Sequence, residues 1–431
     1  MADLILRNAR VVDATQDGLA DVAVANGVIY AVGENITDDA PTEIDAGGLT
    51  LLPGLIDAHV HFNEPGRAHW EGFATGTAAL VKGGVTSFFD MPLNSDPPTI
   101  SARAFDEKRQ LADTHSRANA YLWGGLIPGN LDELAGLAER GVIGFKAFMS
   151  NSGIAEFPHV DDYTLYTGMN KLAELGKILA VHAENDAITN GLAQAAQQQG
   201  KTGVRDYLES RPAIAELEAI QRMITLSADT GCAVHIVHVS TAQGVDLVQS
   251  ARQAGVDITC ETCPHYLVLT ADDVESIGAA AKCAPPMRSA ENQSALWERV
   301  LDGRIPMIAS DHSPAPMSLK QGDDFFAIWG GIASCQSTLS LMLTYGYHQR
   351  EMDLKQIAAV TSANVAERFG LTTKGRIAPG ADADLTLVDI DSSYTLRAED
   401  LAYRHPISPY IGYELRGVVQ KTWVKGRLVY G

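Results

Sequence analysis

Between residues 51 and 312, eight apolar, β-rich runs alternate with stretches of helical periodicity. They are LLPGLIDAHVHF (51–62), VTSFFDMP (85–92), AYLWGGLI (120–127), VIGFKAFM (142–149), ILAVHAE (178–184), AVHIVHVS (233–240), DITCETC (257–263) and PMIASDH (306–312). Strands that are apolar throughout need cover on both faces, and strand–helix alternation supplies it through parallel strands with helical crossovers. Two of the intervening stretches, DDYTLYTGMNKLAELG and PAIAELEAIQRMITLSADTG, space apolar residues near the helical repeat and end on glycine. This is the pattern of an amphipathic helix closed by a C′ glycine. Eight such units predict an α/β fold, a (β/α)8 TIM barrel.

The ends of the chain have a different texture. LILRNARVVDAT and LADVAVANGVIYAVG are short alternating segments separated by Gly, Asn and Asp, which is strand and turn chemistry. Strand texture returns after LTTKGRIAPG in ADADLTLVDI, GVVQKTWVKG and RLVYG. We expect residues 1–51 and 375–431 to form one composite β-domain beside a barrel of residues 52–374. GRIAPG does not lead from a strand into a helix, so it is no nucleotide-binding loop.

Composition narrows the partners. The 431 residues are 46% hydrophobic and 20% charged, enough apolar material for a large core. Lys and Arg number 33 against 53 Asp and Glu, a net charge of −20 that repels nucleic acid and anionic membranes. The start MADLILRNARVV lacks the basic and long apolar regions of a signal peptide, and no run reaches the length of a membrane span. With five cysteines in no scaffold pattern, the expectation is a cytoplasmic protein with reduced thiols.

The chemistry-bearing residues collect at the carboxyl ends of the predicted strands, where barrel enzymes build their sites. His59 and His61 form an i, i+2 pair at the end of the first, so both imidazoles point to one face. His182, His238 and Asp311 end the fifth, sixth and eighth. Each alone fits an ordinary hydrogen-bonded role; the set points to metal. Lys146 lies inside the apolar strand VIGFKAFM, where an unpaired ammonium carries a desolvation cost of several kcal/mol. It either reaches water or a carboxylate, or reacts as the neutral amine with CO₂ to give a carbamate that bridges two cations.

Taken in order, GLIDAHVHFNEPG, GFKAFM, VHAEN, VHVSTAQG, TCPHYLVL and SDHSP resemble the cyclic amidohydrolases of the amidohydrolase superfamily over essentially the whole chain. The resemblance implies a barrel flanked by a composite β-sandwich from both termini. It implies two divalent metal ions, zinc foremost, with cobalt, manganese, iron or nickel also suited. His59 and His61 would hold the more buried ion, His182 and His238 the more exposed one, a carboxylated Lys146 (N6-carboxylysine) would bridge both, and Asp311 would bind and act as general base and acid. A metal-bridging hydroxide would attack the ring carbonyl. A homo-oligomer, tetrameric as in many relatives, is implied as well.

Substrate choice is read from departures. Dihydroorotases carry an Arg, an Asn and a His where this chain has Asn63, Leu93 and Ala315, so an anionic pyrimidine loses its charge-assisted contacts. Hydantoinases and dihydropyrimidinases place a Tyr five residues past the bridging Lys, here Asn151. HFNEPGRAHWEGF, FFDMPLNSDPPT, AKCAPPMR and AIWGGIAS closely resemble the allantoinase branch, which opens allantoin to allantoate. By the same resemblance, backbone groups near Ala284 and Ser313 would read the substrate, with Asn63, Asn94 and Asn151 as side-chain candidates. His265 and His312 are candidate outer partners, Arg67 and Trp70 candidate entrance residues, and Cys260 and Cys263 packing residues. The non-enzyme alternative is a silent scaffold relative, which lacks the ligands; all six are present here.

Overall fold

The computed structural model describes residues 2–431. The eight runs supply the strands of one barrel: Leu55–Val60, Val85–Asp90, Asn119–Leu122 continued by Gly124–Gly125, Phe145–Phe148, Leu179–His182, Val234–Ile236, Ile258–Thr262 and Met307–Ile308. Neighbours pair in parallel and in chain order. The ring closes where Val60 bridges His312 in parallel and the His61 N–H donates to the His312 carbonyl at 2.7 Å. The third strand is broken at Trp123, whose indole N–H donates to the Ala58 carbonyl at 3.2 Å.

The sixth and eighth strands are shorter than their apolar runs. They end at Ile236 and Ile308, ahead of the candidate ligands His238 and Asp311. Both of these residues hold left-handed backbone, with φ of 39° and 46°, which an extended ladder cannot include. Non-glycine residues in this region concentrate at functional sites.

Crossover helices follow their local signals. Asp162–Glu174 starts on Asp161, whose carboxylate accepts from the Thr164 N–H at 2.7 Å. Ala213–Thr230 ends on Gly231 at φ 70°, the left-handed cap expected of that glycine.

The two ends of the chain meet in one eight-stranded sheet. Leu4–Val12, Asp17–Ala25, Val28–Gly33, Thr42–Asp45 and Thr50–Pro53 come from the amino end; Leu385–Thr395, Glu414–Val424 and Arg427–Tyr430 come from the carboxyl end. The seam is antiparallel, Leu51 opposite Leu387 and Leu52 opposite Thr386. Leu6, Val22, Leu51, Leu385 and Trp423 fill its core. The five cysteines are free and buried, and among the described residues no helix is long and apolar enough to cross a membrane.

The first apolar run therefore serves both bodies, and Gly54 is the junction. Its N–H donates to the Asp384 carbonyl at 2.8 Å, while an added Cβ would stand 2.2 Å from the Thr86 side chain. Overpacking of this kind costs about 1–3 kcal/mol. We expect Gly54→Ala to lower the thermal unfolding midpoint by about 1–3 °C with little change in metal content. An unchanged midpoint would show that the junction is slack.

Candidate metal centre

At the carboxyl end of the barrel, one nitrogen each of His59 and His61 and a carboxylate oxygen of Asp311 lie within 4.8 Å of one another, all three residues buried. Asp311 Oδ1 is 3.2 Å from His59 Nε2 and 3.6 Å from His61 Nε2. The His182 and His238 rings adjoin them: His59 and His238 centroids are 5.4 Å apart, those of His182 and His238 4.7 Å. The fifth and sixth strands are ladder neighbours, which brings this second pair together.

Hydrogen bonds behind the rings fix which nitrogen faces inward. Glu261 Oε1 accepts from His59 Nδ1 at 2.8 Å, leaving the Nε2 lone pair toward Asp311. Glu184 Oε2 accepts from His182 Nε2 at 2.8 Å, so His182 Nδ1 presents its lone pair to His238 Nε2, 3.0 Å away. Asn94 lies against His61 with its amide 3.3 Å from Nδ1, and its buried Oδ1 has no partner. Rotating the amide by half a turn makes that oxygen the acceptor for Nδ1–H and satisfies both groups. Nε2 of His61 faces Asp311 at 3.6 Å.

Burial first, then Lys146 and His61, holds His59 well below the usual imidazole range. Burial, His182 and Lys146 do the same to His238, and burial lowers His182. These rings are neutral at neutral pH, the form that binds metal. Lys146 is buried with no hydrogen-bond partner for Nζ, which lies 5.1 Å from the Phe148 ring centre. Burial pushes its amine down to about 7, although Asp311 and Glu261 pull the other way. Converging lone pairs, a carboxylate and an orphaned amine whose charged form burial disfavours leave this donor set incomplete without cations, and it fits a divalent metal pair.

A cavity of about 80 Å³ opens onto the rings, lined also by Leu93, Asn94, Asn151, Ala284, Ser313 and Trp329. Lys146 and Asn63 do not line it. Asn63 is buried with φ 64° and donates to the Pro314 carbonyl at 3.4 Å. Asn151 is exposed, its Oδ1 accepting from the Gly153 N–H at 2.9 Å. The Ser313 N–H donates to the Ile332 carbonyl at 2.9 Å and so is already engaged. Arg67 donates to the Asn94 carbonyl at 3.2 Å and lies 5.8 Å over Trp70, which meets Trp329 edge-on at 4.8 Å. His312 accepts from the Ser334 N–H at 3.1 Å; His265 is buried without a hydrogen-bond partner.

Sequence reasoning missed the acids behind the histidines, Glu184 and Glu261, and the wall residues Phe148 and Trp329. A signal existed for Glu261: it lies two residues past Thr259 in a buried strand, and a charge on an inward face needs a partner. The Phe148 ring, stacked on His182 at 4.6 Å, gave no signal beyond hydrophobicity.

A family profile described as the amidohydrolase family matches residues 50–429. The chain belongs to the amidohydrolase family. Within it, the allantoinase of Rubrobacter xylanophilus is 54% identical over 428 residues, covering 99% of this chain and 94% of that one. The allantoinase of Solibacter usitatus is 52% identical over 430 residues, covering 100% and 94%. Among solved structures, the L-hydantoinase (dihydropyrimidinase) of Arthrobacter aurescens superposes with a TM-score of 0.97 at 34% identity, covering 100% of this chain and 96% of that one.

Glu184 yields a pH prediction. Burial would raise its carboxyl, but Arg211 and His182 outweigh burial and hold it at about 2. A depressed folded-state pKa adds stability that is complete above the unfolded value, near 4.3, and is lost as pH falls through about 2. In Arg211→Leu the acid loses its counter-charge, and breaking such a buried pair costs about 3–5 kcal/mol. Urea unfolding at neutral pH should show this variant less stable than the parent, and the deficit should shrink as pH falls toward about 3, where burial favours the protonated acid in the variant while the parent loses its ion-pair contribution; a deficit independent of pH would contradict the assignment.

Proposed function

We propose that this chain hydrolyses the cyclic amide of allantoin to allantoate, using two divalent metal ions, zinc foremost. The observation that carries the reading is the convergence of four histidines, Asp311 and the orphaned Lys146 amine at one mouth of the barrel. Its specific support is the 50–54% identity to allantoinases over nearly the full chain. His59, His61 and Asp311 would hold one ion, His182 and His238 the other, and a carbamate formed from Lys146 Nζ and CO₂, with loss of a proton, would join them. When bound, the two ions supply an acidified water and a polarised ring carbonyl.

The remaining work falls to side chains. Asp311 accepts the proton of the attacking water and returns it to the ring nitrogen as the amide C–N bond breaks. Its strained backbone at φ 46° and its contacts with His59 and His61 hold the carboxylate ready. No Lys or Arg is among the residues lining the cavity. A neutral ring is therefore favoured over an anionic pyrimidine, whose carboxylate would meet no cation. The Ser313 carbonyl offers an acceptor for a ring N–H, with Ala284 beside it, while Phe148, Leu93 and Trp329 form apolar walls.

Steady-state hydrolysis of racemic allantoin, measured beside hydantoin, dihydrouracil and dihydroorotate in enzyme loaded with divalent metal and bicarbonate, should show allantoate forming fastest. Faster turnover of another ring would overturn the substrate assignment and keep the metal reading. Asp311→Asn should lower kcat by roughly 10²–10⁴-fold. Lys146→Ala should lose metal with retained fold, and unchanged metal content would refute the carbamate. At fixed dissolved CO₂, the rate at which metal-free enzyme is carbamylated should rise as pH passes through about 7 and then level, because only the neutral amine reacts.

A further inference from the structure

We propose that Glu261 and His235 are positioning residues for His59, forming a buried hydrogen-bonded column that runs down the barrel interior and sets how tightly the His59 half of the centre holds its metal. The inference rests on the metal-centre reading above and concerns residues that none of the six ligands includes.

The column starts at His59, whose Nδ1 donates to Glu261 Oε1 at 2.8 Å. The other oxygen of Glu261 accepts from His235 Nε2 at 3.1 Å. With Nε2 carrying the proton, His235 Nδ1 accepts from the Thr259 hydroxyl at 2.9 Å. His59, Glu261 and His235 are 0–1% exposed and Thr259 is 6% exposed. Strand geometry explains the alignment. Thr259 and Glu261 are two residues apart on one strand and share its inward face, and His235 lies opposite Thr259 in the parallel ladder. Thr259 also lines a cavity of about 430 Å³ at the opposite mouth of the barrel, beside Met307, Asn364 and Arg368. The column thus crosses the barrel from the metal end to the base.

Every proton along it is assigned by its neighbours. Glu261 only accepts, so both rings donate to it, and His59 is held as the tautomer with a free Nε2. The two carboxylates behind the ligands are balanced differently. Glu184, behind His182, is also paired with the guanidinium of Arg211. Glu261 contacts only the imidazoles of His59 and His235, with no cationic side chain in an ion pair among the described residues. With no guanidinium to share it, the Glu261 carboxylate acts through its two imidazole donors, and a cation held at His59 Nε2 would draw on its charge more than one at His182 draws on Glu184. The His59 half should release its ion more slowly than the His182 half.

The test is metal release from the zinc-loaded enzyme into a colorimetric chelator, with thermal unfolding of the metal-free forms read in parallel. The parent should release two ions per chain in two phases. Glu261→Gln should accelerate the slower phase by about 10–100-fold and leave the faster one unchanged. His235→Phe should accelerate the slower phase as well, whereas His235→Gln, which keeps a donor for Glu261, should restore it to within about threefold of the parent. This pair keeps the proposal falsifiable if Glu261→Gln does not fold. Parent-like release in Glu261→Gln or His235→Phe, or equal acceleration of both phases, would overturn the proposal while the metal-centre reading stands. A parent chain that binds no metal would overturn both.

Discussion

The arrangement of the site hangs on the closure of the barrel between its first and last strands. His59 and His61 end the first strand, and Asp311 follows the eighth, some 250 residues later. The His61 N–H to His312 carbonyl bond at 2.7 Å, the Val60–His312 bridge, and the Ser310 N–H donating to Asp57 at 3.0 Å join these ends. Only because the ring closes there does Asp311 come within 3.2 Å of His59. Parallel ladders need both faces covered, and the crossover helices provide that cover. The metal-competent cluster is in this sense a by-product of closing a cylinder whose strand ends carry the right side chains.

Around the cluster, a layer of buried charge is arranged by distance from the cavity. Nearest are neutral imidazoles and an amine, all disfavoured as cations by burial. Behind them stand carboxylates, Glu184 and Glu261, which orient the rings. Behind Glu184 comes Arg211, and behind Glu261 only another imidazole. This layering keeps the lone pairs aimed inward.

The barrel and the cluster of histidines with Asp311 were legible because they rest on patterns that repeat or stand out. Eight apolar runs with helices between them admit few folds, and His59, His61, His182, His238 and Asp311 fall at strand ends by simple counting. Strand lengths were not legible, because the left-handed backbone at His238 and Asp311 is imposed by tertiary structure and has no local mark such as glycine. The outer acids were missed for a different reason. In TCETC the eye goes to the two cysteines, which only pack, while Glu261 between them gains its meaning from His59 about 200 residues away. Asn94 was expected to touch substrate; it lines the cavity but is already engaged with His61. The finer division of labour in the pocket lies in such contacts across the fold.

The seam between Thr50–Pro53 and Leu385–Val388 also bears on how the chain is made. The first partner leaves the ribosome more than 300 residues before the second. At roughly 5–20 residues per second, an edge of the terminal sheet stays unpaired for some tens of seconds while the whole barrel is synthesised. Unpaired edges template association with other chains. During synthesis that amino-terminal edge is therefore exposed to pairing with other chains until Leu385–Val388 emerges to cover it.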